Sequence, residues 1–213
     1  MALTFYYGSG SPYAWRVWYA LEHKRMPYTF KLLSFDAGDL QTPAFLALNP
    51  RGKVPVIVDG DFILYESSAI MEYLEDTAPE APRLFAADPR ARARQRRMIR
   101  EADAYIGPAM EHMAEAILYP PDGKSSDAEI KKSVDEGRKE LGLWDRAMSG
   151  EYLAGDLSAA DYTLYPFVAL MLRFAARKPS PLTENLIGPK LSAWAKRMAA
   201  LPITQKTRPP HWK

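Results

Sequence analysis

The stretch RGKVPVIVDGDFILYESSAIMEYLED, from Arg51 to Asp76, constrains the fold of this chain more than any other. Val54 to Val58 and Phe62 to Tyr65 are β-branched or aromatic runs, and Asp59-Gly60 between them is a strong hairpin signal. Both runs are apolar on both faces, so both strands are expected to be covered on both sides. Glu66-Ser67-Ser68 precedes the spaced apolar residues Ile70, Tyr73 and Leu74, and a serine in that position starts a helix. Pro55 lacks an N–H and so fits a strand start or an edge. A Val54-Pro55 bond can be cis, which leaves the Val54 backbone open to pair with something peptide-like. The Glu66-Ser67 turn offers backbone N–H groups, a hydroxyl and a carboxylate at a helix N-terminus. That corner can hold an α-carboxylate on its N–H groups and an ammonium on Glu66, as an amino-acid-like end group requires. The plainer alternative is a trans proline, an ordinary serine cap and a solvated glutamate.

NPRGKVPVIVDGDFILYESSAIMEYLE resembles the glutathione-binding segment of the glutathione transferases. The resemblance implies a thioredoxin-like N-terminal domain and a cis-proline after Val54. It also implies that Glu66 and Ser67 grip the γ-glutamyl end of glutathione. It extends with decreasing clarity over the rest of the chain.

The 213 residues suffice for one large domain or two small ones. A net charge of +2 gives no reason to expect a nucleic acid or other polyanionic partner. Cysteine is absent, which excludes disulfides, thiolate metal sites and cysteine nucleophiles. MALTFYY has no basic segment leading into an apolar core and so does not read as a signal peptide. The longest apolar run, Tyr162 to Leu172, is about half the length a membrane span needs. No membrane partner is expected, and the default location is cytoplasmic.

Taken in order, Leu3 to Tyr7 reads as a strand and Gly8 to Pro12 as a loop into a helix that ends before Pro27. Tyr28 to Phe35 reads as a second strand parallel to the first. Asp36 to Leu40 is a loop and Pro43 to Leu48 a short helix, and the hairpin follows. The order β-α-β, short helix, β-β-α is that of a thioredoxin-like fold. The fold class is therefore an α/β thioredoxin-like N-terminal domain over 1–78, a proline- and alanine-rich linker over 79–88, and an all-α helical domain over 89–213. Arg90 to Leu118 carries a helical apolar stripe, Tyr119-Pro-Pro-Asp-Gly-Lys is a turn, and Asp127 to Met148 is an amphipathic helix. Ser158 and Asp161 form a capping box before an unusually apolar helix, Tyr162 to Ala176, which belongs in a domain centre. The transferases carry a similar Ser/Thr-x-x-Asp signature, whose part is in folding. Leu186 to Leu201 supplies a last helix and Arg208 to Lys213 a tail.

The resemblance sets the chemistry. A glutathione transferase holds the bound thiol as thiolate, the nucleophilic form, whereas a free cysteine thiol titrates near pH 8.5. A hydroxyl donating to the sulfur at a helix N-terminus shifts that balance. The loop GSGSPYAWRV resembles the Cys-Pro-Tyr-Cys loop of glutaredoxins, with Ser11 at the attacking position and Ala14 at the resolving one. That matches the serine-type pattern in the family, and Ser11 is the expected catalytic residue. Ser9, on the same loop, and Tyr7 and Tyr6, at the end of the first strand, are the alternates. The plain reading makes Ser9 and Ser11 parts of a Gly-Ser turn, with Ser11 capping the helix. Lys53 is a candidate for the glycyl end of glutathione, with Gln41 in support, beside Val54 and Pro55.

The arginine-rich helix from Arg90 to Arg100 spreads its charge over several faces without stacking aromatics, as a solvated or intersubunit helix does. In the family it lies at the dimer interface and sends an acidic residue towards the partner's glutathione; Asp103 is the matching position. His23, His112 and His211 lack metal-ligand spacing, and Glu111-His112 with Glu115 reads as a surface group. No metal is expected. Met110, Met113, Tyr165 and Trp212 can line a pocket for an apolar second substrate, although methionine at helical spacing is more often core. The resulting expectation is a homodimeric glutathione transferase, with a role in detoxification, that joins glutathione to a small electrophilic, partly apolar molecule. The alternatives are a glutathione-dependent isomerase, dehalogenase or ether-cleaving lyase, and a non-catalytic binding module of the same fold.

Overall fold

The computed structural model describes residues 3–120 and 123–212. The chain forms two compact units, Met1–Ala86 together with Leu201–Lys213, and Ala87–Ala200.

The first unit is built on a 4-stranded sheet of order β2-β1-β3-β4. β1 (Leu3–Gly8) runs parallel to β2 (Tyr28–Leu33) and antiparallel to β3 (Val56–Asp59), which pairs antiparallel with β4 (Phe62–Tyr65). The crossover from β1 to β2 is helix α1 (Pro12–His23), α2 (Pro43–Leu48) precedes the hairpin, and α3 (Ser67–Thr77) follows it. Alternation along β1 sets the two faces. Phe5 and Tyr7 form a cluster in which the Tyr7 ring lies 5.2 Å from Trp18 of α1, while Tyr6 packs on Phe45 of α2.

The hairpin forms at Asp59-Gly60, with Gly60 at φ +64, where a side chain would be strained. The expectation that both its strands are covered on both faces holds for β3, where Val56 and Ile57 are fully buried. It fails for β4, where Phe62 and Ile63 are 45% and 40% exposed. β4 is an edge strand, and among the described residues no further strand pairs with its outer side. β3 also begins at Val56 rather than Val54, after the cis Val54–Pro55 bond.

The second unit is helical: α4 (Pro89–Glu101), α5 (Gly107–Ile117), α6 (Asp127–Ala147), α7 (Ala159–Arg177) and α8 (Pro189–Ala200). The single helix expected from Arg90 to Leu118 is interrupted by a π-helical segment, Ala102–Ile106. Pro108 has no N–H for the regular bond to the preceding turn, and a wider turn absorbs the loss. α8 begins at Pro189, later than Leu186. Pro121 and Asp122 of the Tyr119–Lys124 turn lie outside the described residues. α7 is the core helix, buried continuously from Ala159 to Val168. Its Asp161 carboxylate accepts from Ser158 N at 3.0 Å, Ser158 Oγ at 3.1 Å, Leu153 N at 3.0 Å and the Trp194 indole at 2.9 Å. Burial pushes this carboxyl above its usual range, and those four donors pull it back.

The last segment of the chain, Leu201–Lys213, groups with the first unit. α9 (Pro202–Thr207) is too short to build a core of its own and docks on α1. The Trp15 indole donates to Thr207 Oγ1 and the Tyr19 hydroxyl to Thr204 Oγ1, each at 2.9 Å, and Lys206 pairs with Glu22 at 2.6 Å. Among the described residues no helix is long and apolar enough to cross a membrane.

Candidate functional site

The loop between β1 and α1 carries two of the four candidate hydroxyl residues, Ser9 and Ser11, and the end of β1 carries the other two, Tyr6 and Tyr7, each in distinct surroundings. Ser11 is the N-cap of α1, at φ −67 and ψ 119, with Pro12 following in the first turn. Its Oγ accepts from Ala14 N–H at 3.2 Å, and its own N–H donates to Gly8 O at 3.1 Å. A capping serine accepts through its oxygen and keeps its O–H to give away. Ser11 is half-buried and so reachable. Ser9 is already engaged, its Oγ 2.7 Å from His211 Nδ1. Tyr7 is 1% exposed, and its hydroxyl accepts from Gly10 N–H at 3.4 Å. Burial pushes the Tyr7 phenol up, with the Gly10 N–H and the Ser9 hydroxyl pulling it back. Tyr6, on the strand itself, packs 6.1 Å from Phe45, on the other face from Tyr7.

The second part of the site is the turn into α3. Glu66 adopts φ +72 and ψ 103, a left-handed region that costs a non-glycine residue on the order of 1–3 kcal/mol. Its carbonyl accepts from Ile70 N–H at 2.9 Å, while its side chain is exposed. The twist leaves the first N–H groups of α3 pointing out of the helix, beside a carboxylate. Ser67 is buried, and its Oγ accepts from Arg16 Nε at 2.8 Å and also from Arg16 Nη2. Two guanidinium donors occupy the oxygen, so the Ser67 hydrogen points to an acceptor elsewhere.

Sequence reasoning missed Arg16. It is 2% exposed, on a helix where Ala14, Trp15, Val17 and Tyr19 are also buried. An arginine within that apolar run is the signal that was available, since a buried guanidinium has to be held by acceptors. It makes the floor of the Glu66–Ser67 corner electropositive, which favours a carboxylate there. Asn49 was missed as well. It is buried, donates to Lys53 O at 2.7 Å and accepts from Arg51 N–H at 3.0 Å, and so shapes the loop that delivers Lys53 and Val54. Gln41 reaches that loop, its Nε2 standing 2.8 Å from where a Cβ on Gly52 would be. Lys53 itself is exposed.

The structure thus gathers the Ser9–Arg16, Asn49–Pro55 and Glu66–Ser67 segments. Val54 Cγ2 and the half-exposed ring of Phe35 both lie against Gly8, with Phe35 Cζ 2.5 Å from where a Cβ would stand. The residues expected to line a second-substrate pocket are divided between the two units. Met110, Met113 and Tyr165 are buried within the helical unit, Tyr165 6.0 Å from Trp194, and Met113 packs on Gly137. Trp212 belongs to the first unit, 5.1 Å from Trp15. Asp103 stands in the π-helical segment, partly exposed. Arg90, Arg94, Arg96, Arg97 and Arg100 are exposed, and His112 pairs with Glu136 at 2.9 Å.

Residues 10–77 match the model of the glutathione S-transferase N-terminal domain, and residues 105–202 that of the C-terminal domain. The chain belongs to the glutathione S-transferase family. It is 32% identical over 218 residues to glutathione S-transferase A of Pleuronectes platessa, covering 99% of this chain and 92% of that one. A crystal structure of a glutathione transferase from Burkholderia graminis, with two glutathione molecules bound per subunit, superposes with a TM-score of 0.85. It is 25% identical and covers 97% of this chain and 87% of that one. Maleylacetoacetate isomerase of Pseudomonas aeruginosa is 43% identical over 100 residues, 45% of each chain.

Proposed function

We propose that this glutathione S-transferase binds glutathione on its first unit and uses Ser11 to hold the thiol as thiolate for attack on a small, partly apolar electrophile. One observation carries the reading: a capping serine with a free O–H and an amino-acid-shaped corner are both built around α1, through Ser11 at its N-terminus and Arg16 beneath Ser67. In this reading the γ-glutamyl carboxylate takes the open N–H groups and the Ser67 hydroxyl, and its ammonium faces Glu66. The Val54 backbone pairs with the central residue of the tripeptide, and Lys53 with Gln41 meets the glycyl carboxylate. Ser11 donates to the sulfur. The thiol proton passes to solvent, the thiolate forms a C–S bond to the electrophile, and the leaving group departs with its electron pair. The protein contributes positioning and thiolate stabilisation, with no covalent enzyme intermediate. Phe35, half exposed beside Gly8, offers an apolar surface next to the sulfur. The molecule acts as a homodimer in which Asp103 approaches the glutathione held by the other subunit.

Titration calorimetry tests the site. Losing a charged hydrogen-bond partner costs on the order of 1.5–3 kcal/mol, so Glu66→Gln and Ser67→Ala each weaken glutathione binding roughly tenfold or more without unfolding. Unchanged affinity in both variants removes the assignment.

The match to maleylacetoacetate isomerase favours a second reading, glutathione-dependent isomerisation. There the same thiolate adds to a conjugated double bond, the bond rotates, and the thiolate leaves unchanged. Mass spectrometry on a panel of electrophiles separates the two: conjugation adds the mass of glutathione less that of the leaving group and one proton, whereas isomerisation leaves every mass unaltered.

A further inference from the structure

The C-terminal tail ties itself to the loop that carries Ser11. His211 Nδ1 lies 2.7 Å from Ser9 Oγ, and the Trp212 indole donates to His211 Nε2 at 3.1 Å. An indole N–H only donates, so Nε2 accepts and carries no proton. The single proton of the neutral ring therefore sits on Nδ1 and is given to Ser9 Oγ. Ser9 turns its own hydrogen away from the imidazole and partners the Tyr7 phenol, which also accepts from Gly10 N–H. The result is one ordered relay, from Trp212 to His211, to Ser9, to Tyr7.

The tail end of this relay is held firmly. Trp212 is buried with its ring edge-on to Trp15 at 87°, and Arg208 donates to the Trp212 carbonyl at 2.9 Å. The imidazole lies against Gly10, whose φ is +89. A Cβ there would stand 3.1 Å from His211 Cε1, a tight approach, and the positive φ itself favours glycine at this position.

We infer that His211 is a positioning residue for the glutathione chemistry, acting through Ser9 to hold the Gly8–Ser11 loop and so aim the Ser11 hydroxyl. This rests on the function proposed above. Ser9 and Ser11 are separated only by Gly10, the most pliant residue in the loop. Ser11 is otherwise held by its bond to Gly8 O and by its cap on Ala14, so freeing Ser9 lets the loop pivot between those points. The γ-glutamyl corner on α3 takes no part in the relay.

The test is a mutant cycle read by steady-state kinetics with glutathione and chlorodinitrobenzene. His211→Ala lowers kcat about fivefold while KM for glutathione stays within about twofold, since only the aim of the hydroxyl is lost. His211→Asn keeps an amide N–H where Nδ1–H stood and recovers most of the rate. Ser9→Ala costs as much as His211→Ala, and the double variant costs no more than either alone. Melting curves of all four are recorded beside the kinetics; should His211→Ala melt early, His211→Asn and Ser9→Ala decide. Losses that multiply in the double variant, or an Asn variant as slow as Ala at an unchanged melting temperature, overturn the inference. A wild-type chain with no turnover overturns the functional reading and this inference together, whereas turnover with multiplying losses overturns this inference alone.

Discussion

Ser11 and its neighbours show how little separates a structural hydroxyl from a chemical one. Ser9, Ser11 and Tyr7 lie within five residues, and what distinguishes them is where each hydrogen points. Ser9 is committed to the tail and to Tyr7, and Tyr7 is sealed in the sheet face. Ser11 spends only its lone pair, on Ala14 N–H, and sits where the partial positive charge of α1 favours an anion. If Ser11 holds the bound thiol about two pH units below its free value, each unit corresponds to about 1.4 kcal/mol. Ser11→Ala should then return the thiol to near its free titration, followed by ultraviolet absorbance of the thiolate against pH. Turnover at neutral pH should fall by about the same factor, with glutathione affinity little changed. Tyr7→Phe, measured in parallel, should leave the titration nearly where it was. The opposite pattern transfers the chemistry to Tyr7.

At the scale of elements, α3 is fixed at both ends by charge. Its start is the Glu66–Ser67 corner on Arg16, and its last turns carry Glu75. Glu75 Oε2 accepts from Leu84 N–H and from the buried Lys24 ammonium, each at 2.9 Å, joining α1, α3 and the segment that follows α3. Partial burial pushes the Glu75 carboxyl up, but the Leu84 N–H and Lys24 outweigh it and hold it below the ordinary carboxylate value. The folded state thus binds this proton less tightly than the unfolded chain. The contact stabilises fully above the unfolded value of the carboxyl and is lost as pH falls through its depressed folded value. Glu75→Gln should cost about 1.5–3 kcal/mol at neutral pH and flatten the acid limb of stability, read by urea denaturation across pH. An acid limb identical to that of the wild type would show that the contact contributes nothing.

At the scale of the molecule, β4 leaves Phe62 and Ile63 on an open sheet edge, and α4 turns most of its arginines to solvent. Both are surfaces that a second copy can cover, and two-fold dimers are the commonest assembly. Multi-angle light scattering should therefore report twice the 24.0 kDa of the chain at micromolar concentration, with the contact partly along Arg90–Ala104. A single species at 24.0 kDa would remove both the dimer and any role of Asp103 across it.

What the sequence by itself determined is whatever a few consecutive residues can encode. Asp59-Gly60 makes its turn, Pro12 and Pro43 open helices after Ser11 and Thr42, and Ser158 with Asp161 closes its box, because each signal and its partner lie within a turn of chain. The Glu66–Ser67 corner was legible for the same reason. Only the tertiary structure decided the rest. Arg16 meets Ser67 across 51 residues and His211 meets Ser9 across 202, and no local period or spacing announces such a pair. Strand order likewise left β4 at an edge although its composition matches that of buried β3. The tail joined the first unit because α9 has too few residues to bury its own apolar face and found one on α1. Which hydroxyl is free to act depends on where neighbouring hydrogens point, and that is settled only once distant segments have packed.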